Sequence, residues 1–260
     1  MPTSIMSAQV QAAFDQVFAM PTRRGILEAD TAMAPVPFPS PADWRDQSIY
    51  FLLVDRFNNP AAPPHFEPFD GMAGQFQGGT FNGIRAQLDY LKQLGVGALW
   101  LSPVLKNCQY NPYTYHGYGI QDFLQIDPRF ASDPAAAKLD PALAENELRA
   151  LIDEAHARGI YIIFDIVLNH AGDLFEYVLA DGSRDAAANW RDQPYTINWR
   201  DETGQGRPDW TTAPADPPRD AAVWPVELRR NEFFRRQGRG GEAGGDFESL
   251  KELVTAFQQE

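Results

Sequence analysis

Three apolar runs, Ser48 to Phe57, Val96 to Val104 and Ile160 to Leu168, constrain this 260-residue chain more than any other feature. None alternates apolar with polar residues as a strand with one wet face does. Each is apolar almost throughout, the pattern of a strand covered on both faces. Helical patterns lie between them. Ile84, Leu88, Leu91 and Leu94 mark one helix face before Gly95, a residue suited to a left-handed cap. Leu148, Leu151, Ile152 and Ala155 repeat that pattern, with Glu145 and Glu147 near the start, Arg158 in the last turn and Gly159 after it. Strand, helix, strand, helix, strand in this order predicts parallel strands joined by right-handed crossovers, hence an α/β fold with either an open or a closed sheet.

The rest of the chain is less regular. Val10, Phe14, Val17 and Phe18 after Ser7 predict a short amphipathic helix, and Pro35, Pro37, Pro39 and Pro41 predict an extended connector before the main domain. From Ala171 to Gly245 no periodic segment stands out, but the stretch is too long for a plain loop and reads as an inserted subdomain. Asp246 then suits the cap of a helix whose stripe is Phe247, Leu250, Leu253, Val254 and Phe257.

Charge narrows the partners. With 22 basic and 35 acidic side chains the net charge is −13, a field that repels nucleic acid and anionic membranes and suits a neutral or cationic ligand. The single cysteine, Cys108, excludes an internal disulfide and a thiolate metal cluster, and reads as a small buried residue. No run approaches the length of a membrane span, and no basic residue precedes Arg23, so no secretory signal is visible and a cytoplasmic chain is expected. Oligomeric state is not legible.

In a parallel α/β fold the ligand site lies beyond the carboxyl ends of the strands. Those ends read Asp55-Arg56-Phe57, Ser102-Pro103-Val104 and Asn169-His170. After the second comes a loop from Tyr110 to Asp122 that holds Tyr113, Tyr115, His116 and Tyr118. Flat rings against the apolar faces of a sugar, with amide, carboxylate and imidazole groups for its hydroxyls, suit a neutral carbohydrate.

Read together, Gly78-Gly79-Thr80-Phe81-Asn82-Gly83-Ile84, Leu99-Trp100-Leu101-Ser102-Pro103, Tyr115-His116-Gly117-Tyr118 with Asp122, and Asp165-Ile166-Val167-Leu168-Asn169-His170 resemble glycoside hydrolase family 13, the α-amylase family. The match runs in order over residues 47 to 170. It implies a (β/α)₈ TIM barrel of which this chain holds the first three strands and helices. A leader fills 1–46, the first part of the catalytic domain 47–170, an inserted domain B 171–245, and a truncated third barrel helix 246–260. By the same resemblance Tyr118 stacks on the sugar at the cleavage subsite, and His116 and His170 bond its hydroxyls. Asn169 either ligates a structural calcium ion or braces the insertion, where Asp173, Glu176 and Asp181 are further oxygen donors. Asp165 is an expected substrate residue, with a structural role as its competitor, since a carboxylate in an apolar strand must be paired. Ordinary loop packing is the expectation for Tyr110, Tyr113 and Tyr115.

The retaining mechanism of that family needs a carboxylate nucleophile and a carboxylic acid on either side of the glycosidic bond. In the family these end the fourth and fifth strands, and this chain reaches only the third helix. Gly206-Arg207-Pro208-Asp209 imitates the arrangement around the nucleophile, but it follows no apolar strand and is rejected. The expectation is therefore an α-amylase-like glycosidase acting on α-glucosidic linkages of starch-type glucans or oligosaccharides, present as a fragment that is inactive alone. The alternatives are a trehalose- or sucrose-related transglycosidase or isomerase of the same family, or a non-catalytic carbohydrate- or partner-binding relative.

Overall fold

The three apolar runs form one parallel sheet in the computed structural model, which describes residues 2–19, 40–61, 75–240 and 244–255. In chain order the strands are β1 (Ile49–Leu52), β2 (Ala98–Leu101), β3 (Leu105–Asn107), β4 (Ile120–Ile126), β5 (Tyr161–Phe164), β6 (His170–Ala171), β7 (Phe175–Val178), β8 (Arg184–Asp185), β9 (Thr196–Trp199) and β10 (Lys251–Glu252). The helices are α1 (Ala8–Ala19), α2 (Val54–Phe57), α3 (Phe81–Arg85), α4 (Leu88–Gln93), α5 (Pro134–Leu139) and α6 (Ala142–Ala157). Strands β1, β2 and β5 lie side by side in that order, all parallel, with Phe51, Trp100 and Ile163 in register. Two crossovers carrying α3–α4 and α6 join them, as the alternation of patterns predicts.

Only one face of this sheet is covered. Tyr50, Leu52, Leu99, Leu101 and Ile162 pack with Ile84, Leu88, Leu91, Leu148 and Leu151 of the helices. On the opposite face Ile49, Phe51 and Trp100 are 50%, 44% and 40% exposed, and the Phe51 and Trp100 rings meet edge to face at 5.1 Å. The expectation of cover on both faces is corrected here. A sheet of three strands cannot close on itself, so its second face finds no layer among the described residues. Beyond β5, Ile166 and Leu168 are likewise exposed.

Local chemistry sets the element ends. Gly95, at φ +88°, stops α4 in a conformation that a side chain would resist. The Thr80 hydroxyl accepts the Gly83 N–H at 2.9 Å and starts α3. The first apolar run does not stay extended to Phe57, as expected, but turns into α2 at Val54. There the buried Asp55 carboxylate accepts the N–H groups of Gln77 (2.9 and 3.0 Å) and Gly78 (3.0 Å), and burial raises its pKa. The expected N-terminal helix is α1, although the Ser7 hydroxyl makes no hydrogen bond among the described residues. The prolines at 35, 37 and 39 lie outside the described residues.

The insertion has its own sheet, β8–β7–β9, antiparallel throughout, and its own core. Phe175 meets Trp199 and Phe234 edge to face, each at 5.5 Å. These strands escaped detection because β7 and β9 each carry only two inward apolar residues, Phe175 and Tyr177, or Ile197 and Trp199, too few to show a period, and β8 is two exposed charged residues. The helix expected over 246–260 does not form over its described part, 246–255. Instead Lys251–Glu252 pairs antiparallel with His170–Ala171, and Phe247 stays exposed. Asp246 and Lys251 are both buried and bonded to each other, an arrangement that overrides the apolar periodicity of the segment. Among the described residues no helix is long and apolar enough to cross a membrane.

Candidate active-site cleft

The aromatic loop is the tip of a hairpin formed by β3 and β4. It begins just past the carboxyl end of β2, where ligands of parallel α/β folds bind. The strand β4 starts at Ile120, so the loop read as ending at Asp122 in fact ends at Gly119. Asn107 organises it from within. Its side-chain amide donates to the Gly117 carbonyl at 3.0 Å and its side-chain oxygen accepts the Gly119 N–H at 2.6 Å. Its own backbone N–H donates to Asp127 Oδ2 at 3.0 Å. Gly117 sits at φ +88°, and a Cβ there would lie 2.2 Å from the Pro103 carbonyl oxygen, so only glycine lets the chain turn between His116 and Tyr118.

Four of the expected site residues meet here: His116 and Tyr118 from the loop, Asp165 just after β5 and His170 at the start of β6. The Tyr118 hydroxyl donates to Asp165 Oδ2 at 2.8 Å, and burial together with that carboxylate pushes its pKa up to about 12, so it remains a phenol. The Tyr118 N–H donates to His116 Nδ1 at 2.9 Å, and the two rings lie 5.5 Å apart at 32°. His170 Nε2 meets the Tyr118 carbonyl oxygen at 3.1 Å. These contacts assign the tautomers. His116 accepts at Nδ1 and so carries its proton on Nε2, whereas His170 donates from Nε2 and so keeps a lone pair on Nδ1. One imidazole thus offers a donor and the other an acceptor, a pairing that serves a hydroxyl-rich neutral ligand. Asp165 is tied to Tyr118, which favours the bracing role held as its competitor.

Burial lowers the pKa of both imidazoles; for His116 the neighbouring His170 and Arg129 lower it further. Their ordinary value is 6.5, and the folded values lie below it, so the unfolded chain takes up these protons first as pH falls. Stability from both groups is therefore full above 6.5 and declines below it until the folded values are passed. Thermal unfolding from about pH 7 to about pH 5 should show a falling midpoint, and His116→Gln with His170→Gln should flatten that slope. An unchanged slope in the double variant would contradict the neutral assignment.

Asn169 and the acids of the insertion do not converge on a cation. Asn169 is exposed, and its carbonyl accepts the Leu253 N–H at 2.9 Å. Asp173 faces Arg200 Nη2 at 3.1 Å, Glu176 faces Arg200 Nη1 at 2.8 Å, and Asp181 bonds the N–H and hydroxyl of Ser183. No group of three or more His, Cys, Asp or Glu side chains suited to a metal occurs among the described residues. The donors present do not fit calcium. Cys108 is fully buried and its thiol is pushed up to about 12, which leaves it a core residue. Asp209 pairs with Arg207 at 3.5 Å on an exposed stretch of the insertion that hydrogen-bonds Trp199 of β9, follows no strand of the parallel sheet and has no catalytic setting.

Sequence reasoning missed two groups that shape the cleft. The Arg56 guanidinium lies 3.9 Å over the Tyr115 ring, and Asn107 with Asp127 holds the hairpin. Arg56 follows a strand end, a signal that was visible; Asn107 had none, because the partners through which it holds the loop, Gly117, Gly119 and Asp127, are ten and more residues away.

Comparison with known proteins agrees with the geometry. The family model of the alpha amylase catalytic domain matches residues 51–244. A periplasmic alpha-amylase of Escherichia coli is 38% identical over 159 residues, covering 53% of this chain and 22% of that protein. The alpha-amylase mde5 of Schizosaccharomyces pombe is 36% identical over 132 residues, covering 50% of this chain and 23% of that protein. An alpha-amylase structure from Geobacillus thermoleovorans is 40% identical, covers 50% of this chain and 24% of its own, and gives a TM-score of 0.39. The chain thus spans less than a quarter of these relatives. With the parallel strands, the hairpin and the ordered motifs in place, the family match assigns the chain to the α-amylase family, whose catalytic domain is a (β/α)₈ barrel represented here by part of its strands.

Proposed function

We propose that the polypeptide carrying this chain is a glycosidase that acts on α-glucosidic linkages of starch-type glucans or oligosaccharides by double displacement. This chain supplies sugar-binding groups from residues 47–170 and the insertion that flanks them. The observation that carries the reading is the Tyr118–His116–His170 cluster, two neutral imidazoles of opposite hydrogen-bonding sense around one ring, at the carboxyl side of a parallel sheet in an α-amylase family chain. The Tyr118 ring forms the stacking platform at the cleavage subsite. His116 Nε2–H donates to one sugar hydroxyl and His170 Nδ1 accepts from another. Asp165 holds the phenol in place.

A nucleophile and a general acid some 5–5.5 Å apart are required for retention, and we assign both to strands outside this chain. Their strands would also cover the exposed face of Phe51 and Trp100. The reading is tested on starch and maltooligosaccharides with two proteins, the 260-residue chain and a polypeptide extended through the remaining barrel. Reducing sugar is expected from the extended protein and none above background from the chain. Release by the chain alone would overturn the division of labour, and no release by the extended protein would overturn the reading itself.

A further inference from the structure

Lys251 is fully buried, as is Asp246, in the layer between the insertion and the strand pair β6–β10. Its ammonium lies 3.2 Å from Asp246 Oδ2 and 3.9 Å from Asp173 Oδ1, donates to the Ala186 carbonyl, and stands 4.5 Å over the Tyr177 ring. Asp246 is further bonded by the Tyr177 hydroxyl at 2.5 Å and by the Glu252 N–H at 3.0 Å. Asp173 shares its charge between two cations: Oδ2 pairs with Arg200 Nη2 at 3.1 Å, while Oδ1 has no hydrogen bond among the described residues and faces Lys251. Buried carboxylates need cations close by, and a lysine supplies one without a metal. The same lysine is half of β10, which pairs Glu252 with His170 and Lys251 with Ala171. We propose that Lys251 is the resident cation of this junction: it neutralises Asp246 and, together with Arg200, Asp173, in the part the resemblance gives to calcium, and through β10 it positions His170 against Tyr118.

The positioning half of this inference rests on the sugar-binding reading above; the charge half does not. The test uses the extended polypeptide, with thermal unfolding in excess chelator and in millimolar calcium, and maltooligosaccharide binding by calorimetry. The wild type is expected to unfold at the same temperature in both solutions. Lys251→Met is expected to unfold about 10 °C lower and to bind sugar about tenfold more weakly, with the His170 imidazole resonances displaced. Asp246→Asn, which keeps the ammonium and removes one of its anions, should give a smaller loss of the same kind and serves if Lys251→Met does not fold. A wild-type midpoint that rises with calcium or falls on chelation would overturn the charge assignment. Unaltered His170 resonances in a folded Lys251→Met or Asp246→Asn would overturn the positioning role. Failure of the wild type to bind any maltooligosaccharide would instead count against the functional reading, and would leave the calcium result standing.

Discussion

If the proposed glycosidase reading holds, alanine in place of Tyr118 is expected to lower kcat/KM on maltooligosaccharides by about 10²- to 10³-fold in the extended polypeptide, the largest kinetic effect expected of any residue on this chain. Two losses combine. Removing the ring withdraws the apolar surface proposed to carry the sugar, worth about 1.5–3 kcal/mol for a large side chain. It also frees the loop, because the ring packs on His116 and its hydroxyl is the tie to Asp165. Phenylalanine keeps the ring and loses one hydrogen bond, so Tyr118→Phe should cost about tenfold or less. Steady-state kinetics on a series of maltooligosaccharides separates the two. Equal losses in both variants would mean that the hydroxyl, not the ring, makes the contribution, and an unaffected Tyr118→Ala would remove Tyr118 from the subsite altogether.

The largest loss of stability among the remaining single substitutions is expected from Asp122→Ala, about 3–5 kcal/mol, measured by urea unfolding. The Asp122 carboxylate is buried, bonds Arg219 Nη2 at 2.5 Å and accepts the Leu124 N–H at 2.9 Å. Burial raises its pKa against the opposing pull of Arg219 and Lys106. Removing it strands Arg219, whose guanidinium also lies 4.5 Å from the Trp224 ring, and loosens the segment that joins the insertion to β4 through the Phe123 N–H and the Trp224 carbonyl at 3.0 Å. Arg219→Ala should cost a similar amount, because it leaves the buried Asp122 carboxylate without its ion pair, and the double variant should cost less than the sum. The exposed pair of Arg149 and Glu145 is the control, with an expected cost of about 0.5 kcal/mol or less. Additive losses in the Asp122–Arg219 cycle would show that the two do not act as a pair.

Both predictions concern residues inside motifs that were legible from sequence, yet their partners were not. Tyr118 and Asp122 stand out in a segment dense in rings and polar groups, the loop and the start of β4. That Tyr118 is tied to Asp165, 47 positions on, and Asp122 to Arg219, 97 positions on, follows only from the fold. The same holds for Asn107 and Asp127, which shape the hairpin without belonging to any recognisable pattern.

The sequence by itself determined the order of three parallel strands and two crossovers, the glycine that closes α4, the aromatic loop and the family. Each of these rests on residues close together in the chain, where periodicity, capping and turn chemistry act. Tertiary structure alone decided three other matters. It left one face of the sheet bare among the described residues, because three strands cannot close. It built the insertion from strands of two to four residues, too short to show a period. And it drew Asp246 and Lys251 inward, where an ion pair and a tyrosine 69 residues away outweigh a helical stripe and turn an expected helix into a strand beside His170. A buried charge takes its conformation from whatever compensates it, and that partner is set by the fold rather than by its neighbours in sequence.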